Sequence, residues 1–194
     1  MGPLVICVAA CERKHLPSLK KWAEKDSKQL SAAQRAERFA HLKKFCRFRY
    51  VEISAEKLME LMAVKSLNDI EAEAMAALIK NMKDCDIMID LPDRYEWTFR
   101  RRMEKLGIKK FEAQHKADEN YETVAAASIW AKLLRDKRIA EIAQQCGAFG
   151  SGYPSDPVTI AALRDKEKRK ALQPHIRHRW KTIENLQQKK LFEE

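Results

Sequence analysis

Two aspartates, Asp90 and Asp136, stand in apolar surroundings where an ionised carboxylate needs a partner. Asp90 comes directly after the apolar residues 87–89 and before a Leu-Pro pair. Carboxylate oxygens are the ligands that Mg²⁺ and Mn²⁺ prefer, and a pair of such ions can hold the attacking and leaving oxygens of a phosphodiester. A site with two ions generally needs about four carboxylates, so these two alone are too few.

The helical period places Asp136 on the apolar side of a predicted helix. Steps of three and four residues along the chain connect it with Ile129, Leu133, Ala140 and Ala143. Such a stripe is expected to face a sheet, which puts the carboxylate in the middle of a buried surface.

Each aspartate also has a purely structural interpretation, and the residues leave it open. Asp90 precedes a Pro-containing turn and could cap that turn. Asp136 could form an internal salt bridge with the neighbouring Lys132 or Arg135.

Strands and helices alternate along the chain. Strands are predicted at 3–10, 46–53, 85–91 and 109–115, and helices at 31–44, 54–62, 68–82, 94–107 and 123–146. Ser31 with Gln34 forms a capping box, residues 68–71 form a looser one, and Gly107 is placed to end a helix. The first strand is nearly continuous in apolar residues, which predicts burial on both faces. The alternation predicts an α/β fold with a sheet covered on at least one face.

The composition predicts one domain with a reduced interior. A chain of 194 residues with 45% hydrophobic content can bury one sizeable core, and we expect a helical C-terminal extension. Five scattered cysteines without a CxxC pair argue against a disulfide framework and a zinc site, and favour buried, reduced thiols. Because neither a secretory signal nor a membrane span is recognisable, we expect a cytoplasmic protein without a membrane partner.

Positive charge is in surplus and is clustered. The chain has 38 Lys and Arg against 28 Asp and Glu, a formal net charge of +10. Basic residues concentrate at 99–105, 164–170 and 175–181. Singly, each cluster is more typical of a solvated helix face, but together with the net charge they favour nucleic acid as the partner.

Five motifs carry a family resemblance. They are DSKQL (26–30), HKAD (115–118), AAASIWAKLLRD (125–136), FGSGYPSDP (149–157) and RHRWKT (177–182). In order and spacing they resemble the type 2 ribonucleases H, in the form of archaeal ribonuclease HII, from about Gly2 to Thr182. The resemblance implies a ribonuclease H-like fold, a mixed five-stranded β-sheet flanked by helices. Residues 1–146 would form the α/β core, and 147–194 the substrate-binding loop and C-terminal helical extension of the same domain.

The resemblance also implies an activity. Enzymes of this family hydrolyse the RNA strand of RNA–DNA hybrids and cut beside ribonucleotides embedded in duplex DNA. Four acids hold two Mg²⁺ or Mn²⁺ ions, and Asp90 and Asp136 are similar to the third and fourth of them. We therefore expect RNA–DNA hybrid and ribonucleotide-containing duplex DNA as partners and a monomeric protein, and the residues carry no readable signal for contact with a sliding clamp.

Further roles are implied by motif. Tyr153 resembles the tyrosine that packs on the sugar of the ribonucleotide. The other implied substrate-binding residues are Ser27 and Lys28 near a phosphate, His115 and Lys116 beside the active centre, and Arg177, Arg179 and Lys181 along the duplex backbone. His115 and Lys116 could either touch substrate or order the end of a strand. The family often has an acid before this histidine, where the chain has Gln114.

One family element is expected to be absent from these residues. The first strand of the family carries an Asp-Glu-Ala-Gly-Arg-Gly motif with the first two acids, and this sequence begins where the second strand would begin. Either Met1 is an internal methionine of a longer, active protein, or the chain is truly shortened. A shortened chain would obtain the strand from another polypeptide or would bind hybrids without cleaving them. A third interpretation, a general basic DNA-binding protein, predicts equal affinity with and without a ribonucleotide.

Overall fold

The structure is a computed structural model that describes residues 1–23, 30–82, 84–180 and 183. Its strands are β1 (Leu4–Cys11), β2 (Cys46–Ile53), β3 (Met88–Asp90) and β4 (Glu112–Gln114). Its α-helices are α1 (Leu16–Ala23), α2 (Ala32–Leu42), α3 (Ala55–Leu61), α4 (Leu67–Ile79), α5 (Glu96–Lys105), α6 (Ala117–Asn120), α7 (Glu122–Cys146), α8 (Pro157–Arg164) and α9 (Lys166–Ala171). Strands and helices alternate, which confirms the predicted α/β class.

Within the described ranges, the strands form two separate pairs. One sheet contains β1 and β2, and the other contains β3 and β4. The second pair is parallel, with Met88 opposite Glu112 and Asp90 opposite Gln114. The family resemblance implies one mixed sheet, whereas these strands make two sheets of two.

The chain divides into two compact units. Of the described residues, the first contains 1–4, 52–64, 135–180 and 183, and the second contains 5–23, 30–51, 65–82 and 84–134. In the second unit, Leu19, Leu42 and Ile129 are fully buried in a cluster that α1, α2 and α7 share. In the first unit, a cluster around Ile139 and Phe149 joins the end of α7 to α8. The predicted core boundary at residue 146 stays a prediction.

Local signals located most helices, and several boundaries differ from the predictions, among them that of β4, which spans Glu112–Gln114 and not 109–115. Strand β3 is shorter than the predicted segment 85–91, because Asp84 takes a positive φ of 58° and Cys85 is exposed. Helix α4 begins after Ser66, whose side chain accepts a hydrogen bond from the Asp69 N–H while the Asp69 carboxylate accepts from the Ser66 N–H. The capping box is therefore Ser66 with Asp69, and the prediction that residues 68–71 form it was wrong.

Strand β1 is less buried than its composition predicts. Ile6 is 9% exposed and the other residues of β1 are half-buried. The prediction of burial on both faces was wrong for these residues, because β1 borders a cavity of about 320 Å³ within the second unit.

The five cysteines lie in the described ranges and are reduced, which confirms the prediction of reduced thiols. Burial raises the pKa of Cys7 and that of Cys46 to about 12, which keeps both protonated at neutral pH. The predicted burial is confirmed only for Cys46, since Cys7, Cys11 and Cys146 are half-buried and Cys85 is exposed. Among the helices in the described ranges, none combines the length and the apolar content needed to cross a membrane.

Candidate active site

Asp90 lies at the C-terminal end of β3, where the chain leaves the sheet. Its side chain is exposed, and its Oδ1 accepts a hydrogen bond from the Ala117 N–H at 3.1 Å. Gln114, its partner across the parallel strands, accepts a hydrogen bond from the Leu91 N–H at 2.9 Å. The Ala117 N–H thus fixes the carboxylate. This position is compatible both with the predicted turn-capping role and with a role as a metal ligand.

His115 and Lys116 shape the turn that reaches Asp90. Lys116 has a left-handed backbone with φ 56°, an uncommon conformation for a residue other than glycine. This turn presents the N–H of Ala117 to Asp90, while the His115 ring lies 3.3 Å from the Arg94 carbonyl oxygen. The Lys116 ammonium lies 3.1 Å from Glu119. These contacts favour the ordering of the strand end over direct substrate contact.

Asp136 lies on α7 and its side chain is 25% exposed. An Arg135 guanidinium nitrogen lies 3.7 Å from its Oδ1, which is one of the two salt bridges considered from the sequence. Ala140, placed on the same apolar stripe by the helical period, is exposed. The buried stripe of α7 in this unit runs instead through Ile139 and Ile142, so Asp136 lies at the edge of the buried surface.

Tyr153 projects from a loop that is tied down on both sides. The ring is 40% exposed, and the Arg135 guanidinium carbon lies 3.7 Å from its centroid. Gly152 before it has φ 74°, and a Cβ atom at Gly152 would lie 2.9 Å from the Ile139 side chain. Glycine is therefore required there by backbone conformation and by space. Arg135, which the motif did not single out, fixes one face of the ring.

Asp156 anchors this loop, a role that the sequence analysis did not predict. Its carboxylate accepts hydrogen bonds from the Ser151 N–H at 2.5 Å, from the Ser151 hydroxyl at 2.8 Å, and from the Thr159 hydroxyl at 2.9 Å. It also caps α8 through the Val158 N–H at 2.9 Å. The Asp-Pro pair at 156–157 is a recognisable helix start, so the cap was readable from the sequence.

The stability of the loop should depend on pH through Asp156. Hydrogen bonds from Ser151, the backbone one first, lower the pKa of this carboxyl from 3.8 to about 2. A lowered pKa in the folded state means that the stabilisation is complete above pH about 4 and is lost as the pH falls from about 4 to about 2. Urea titrations across that pH range measure the effect. The free energy of unfolding should fall less steeply with decreasing pH in Asp156→Asn than in the unmodified protein. An unchanged slope would contradict the anchoring role.

The basic residues of the last motif differ in their surroundings. Arg177 is 8% exposed, donates to the carbonyl oxygens of Gly2 at 2.9 Å and Pro3 at 2.5 Å, and lies over the Trp180 ring. These contacts favour a structural role for Arg177 over the predicted contact with a duplex. Arg179 is exposed and donates to the Met62 carbonyl oxygen at 2.5 Å. The predictions for Ser27, Lys28 and Lys181 fall outside the described residues.

An exposed aromatic pair near the end of β3 was not predicted. Tyr95 and Trp97 are 49% and 62% exposed, and their rings stack at 6.4 Å. Arg94 lies 5.2 Å from the Tyr95 ring and Arg101 lies 5.9 Å from the Trp97 ring. Aromatic rings beside guanidinium groups are suited to contact bases and phosphates. Arg102, in the basic cluster 99–105, instead pairs with Asp69 and Asp93 of the same unit.

The donor chemistry of Asp90 and Asp136 fits hard divalent cations, which prefer carboxylate oxygens. Across the part of the chain that the structure describes, no group of three or more His, Cys, Asp and Glu side chains could hold a metal ion. Taken in its own unit, each aspartate therefore offers one carboxylate and not a complete ligand set.

The α/β fold, with one acid at the end of β3 and another on α7, agrees with a ribonuclease H-like protein, and similar solved structures show that class. Residues 1–183 match the family model described as Ribonuclease HII. Ribonuclease HII of Archaeoglobus fulgidus is 39% identical over 191 residues, which cover 98% of this chain and 92% of that protein. The chain belongs to the ribonuclease HII family of nucleases.

Solved structures agree with this assignment. The structure of the PCNA:RNase HII complex from Archaeoglobus fulgidus is similar with a TM-score of 0.87 at 39% identity, over 100% of this chain and 94% of that one. Ribonuclease H2 from Pyrococcus horikoshii OT3 is similar with a TM-score of 0.82 at 34% identity, over 97% and 92% of the two chains. The predicted fold and family are confirmed.

Proposed function

We propose that the protein hydrolyses the RNA strand of RNA–DNA hybrids and cuts beside ribonucleotides embedded in duplex DNA. The observation that carries this proposal is the family match over residues 1–183, a range that includes Asp90, Asp136 and the Tyr153 loop. The net charge of +10 supports a polyanionic substrate.

Asp90 and Asp136 each serve as a ligand of the divalent cations, Mg²⁺ or Mn²⁺, on which this family of nucleases depends. A bound divalent cation supplies positive charge that stabilises the phosphate oxygens during hydrolysis. The Ala117 N–H holds the Asp90 carboxylate in one orientation at the strand end. Arg135 holds a positive charge beside Asp136.

Tyr153 recognises the ribonucleotide by packing its ring on the sugar. The ring is pre-positioned, because Arg135 covers one face and the Asp156 hydrogen bonds fix the loop. A fixed ring loses little entropy on contact with the substrate. Tyr95 and Trp97, with their neighbouring arginines, offer a further contact for the nucleic acid. Arg179 contributes affinity that falls with salt and does not depend on sequence.

A cleavage assay tests the proposal. A labelled DNA duplex containing one ribonucleotide is incubated with the protein in Mg²⁺ or in Mn²⁺, beside the same duplex made of DNA only. The expected result is a cut beside the ribonucleotide and none in the all-DNA duplex. Binding of the ribonucleotide duplex without product would favour the inactive hybrid-binding alternative, and equal affinity for both duplexes would favour a general DNA-binding protein.

Tyr153→Ala should reduce the preference for cleavage beside the ribonucleotide. Stacking of a base on an aromatic ring is worth about 1–3 kcal/mol, and a loss of this size at the sugar would lower selectivity by about 5- to 150-fold. The measurement is the ratio of cleavage rates for duplexes with and without the ribonucleotide, together with the positions of the cuts. Tyr50→Ala is the matched control, since Tyr50 is 44% exposed and has no proposed role. Equal ratios in both variants would contradict the proposal.

Three further points remain proposals. The relative from Archaeoglobus fulgidus was solved as a complex with PCNA, so contact of this protein with a sliding clamp is a proposal that a pull-down with such a clamp would test. A monomeric state and a cytoplasmic location are predictions from the sequence.

A further inference from the structure

The start of α5 exposes aromatic side chains because the helix buries its other face. Phe99 and Met103, four residues apart, are fully buried. Trp97 and Arg101 have the same spacing and therefore lie together on the opposite, exposed side of the helix. Tyr95 precedes the helix in extended backbone, with φ −125° and ψ 132°, and its ring lies beside that of Trp97.

Two rings and two guanidinium groups form a surface that we call the aromatic patch, which consists of Arg94, Tyr95, Trp97 and Arg101. The ring centroids lie 6.4 Å apart, and the guanidinium carbons lie 5.2 Å and 5.9 Å from the rings that they face. These spacings are near the long end of the ranges for ring pairs, about 7 Å, and for cation–π contacts, about 6 Å. The rings are therefore loosely covered, and 49% of Tyr95 and 62% of Trp97 stay exposed.

The two arginines of the aromatic patch keep their charge available. Elsewhere on α5, Arg100 pairs with Glu96 at 2.7 Å, and carboxylates of the same unit hold Arg102. In the described ranges no carboxylate forms such a pair with Arg94 or Arg101, and both side chains are exposed. An acidic peptide would match this charge alone, whereas a nucleotide matches the charge with its phosphate and the rings with its base.

The aromatic patch lies beside the strand end that carries Asp90. The His115 ring lies 3.3 Å from the Arg94 carbonyl oxygen, and the Ala117 N–H donates to the Asp90 carboxylate at 3.1 Å. One turn, at 115–117, thus contacts both the backbone of the aromatic patch and the candidate metal ligand, and all of these residues belong to one unit. A nucleic acid strand that runs past Asp90 would reach the aromatic patch to one side of the cut.

The faces of the bases decide which form of nucleic acid fits the rings. In a duplex each base pair is covered on both faces by its neighbours, so side chains reach base edges and phosphates only. Unpaired bases expose their faces and stack on aromatic side chains, a contact that tolerates any sequence. The exposed rings therefore match unpaired nucleotides, whereas the arginines suit either form.

We propose that the aromatic patch binds unpaired nucleotides of a single strand that continues from the duplex, with bases stacked on the two rings and phosphates beside the two arginines. The proposal rests on nucleic acid as the partner and adds to the proposed function a part of the substrate that is not cleaved. Its consequence is tighter binding of duplexes that carry a single-stranded flank. Binding is measured in EDTA with all-DNA probes, so a failure here would leave the proposed cleavage standing.

Two labelled oligonucleotides of about ten nucleotides test the stacking. One is oligothymidylate, and the other carries the same phosphates on abasic sugars. By fluorescence anisotropy the oligothymidylate should bind at least about tenfold more tightly, because the abasic strand keeps the charge and lacks the bases. Equal affinities would show attraction by charge alone and would overturn the proposal.

Substitutions locate the contact on the protein. Tyr95→Ala and Trp97→Ala should each weaken oligothymidylate binding by about 5- to 150-fold, and should leave abasic binding within about twofold. Tyr50→Ala is the matched control, since Tyr50 is an aromatic residue of the same unit that is 44% exposed, and it should change neither affinity. Oligothymidylate binding that is unchanged in both patch variants, or weakened equally in Tyr50→Ala, would overturn the proposal.

A pair of duplexes separates an unpaired strand from a paired one. Both are made of DNA only, one with blunt ends and one with a single-stranded flank of about ten nucleotides. The flank should raise the affinity of the unmodified protein by at least about fivefold, and Trp97→Ala should remove that gain while binding the blunt duplex as before. If Trp97→Ala weakens the binding of both duplexes equally, the aromatic patch contacts paired nucleic acid and the proposal is overturned.

Discussion

Asp136→Asn should lower the rate of cleavage of a ribonucleotide-containing duplex by at least about 100-fold. Even the removal of a side chain that only hydrogen-bonds to a metal ligand lowers metal affinity or activity by about 10- to 100-fold. The amide keeps the shape of the side chain but loses the negative charge that a divalent cation needs. Affinity for the duplex, measured by anisotropy in Ca²⁺, should stay within about twofold, since binding rests on other contacts.

The structural alternative for Asp136 makes a different prediction. If the carboxylate only pairs with Arg135 in a partly exposed salt bridge, its loss should lower the free energy of unfolding by about 0–1 kcal/mol. The turnover rate should then be unchanged. Glu141→Gln is the matched control, because Glu141 is an acid on the same helix paired with Arg138 at 2.7 Å. Turnover that is unchanged in Asp136→Asn, or reduced equally in Glu141→Gln, would rule out a ligand role for Asp136.

Asp90→Asn and Asp90→Ala should separate the two roles of Asp90. Asparagine keeps an Oδ1 that accepts from the Ala117 N–H, whereas alanine removes the acceptor. We expect both variants to lose cleavage by at least about 100-fold as ligand variants. Only Asp90→Ala should also lose stability, by about 1 kcal/mol, the usual cost of a lost cap. Cleavage rates and urea unfolding of the same preparations measure the two effects.

The control for Asp90 comes from the neighbouring strand. Glu112 is exposed on β4, opposite Met88, so Glu112→Gln removes a carboxylate from the same sheet without a predicted effect. Should Asp90→Asn cleave at the rate of Glu112→Gln, Asp90 would be a structural cap alone.

Elements governed by neighbouring residues were well predicted. The capping box of Ser31 and Gln34 begins α2, and strand β2 spans residues 46–53 as its β-rich sequence indicated. Helix α5 ends beside Gly107, whose φ is 84°. One error lies where a local signal had a competitor two residues away, at Ser66 and Asn68. Another lies where the positive φ of Asp84 precedes an apparently apolar strand.

The candidate site was predictable in part. Asp90 and Asp136 were recognisable because a carboxylate in an apolar context violates the local pattern, and the motifs added Tyr153. The anchoring of the Tyr153 loop by Asp156 and the contact of Arg135 with its ring were not predicted. Both depend on how a loop folds back on itself and on α7, which the spacing of residues does not specify.

By itself, the sequence determined the family, the alternation of strands and helices, the starts and ends of most helices, and the acids worth testing. These features rest on periodicity, caps and short motifs, which act over a few residues. Only the tertiary structure decided that the Ala117 N–H reaches Asp90 and that Arg177 is buried against Gly2 and Pro3. Those features join residues that are far apart in the chain. Their positions follow from packing and from the path of the chain, which local sequence patterns do not specify.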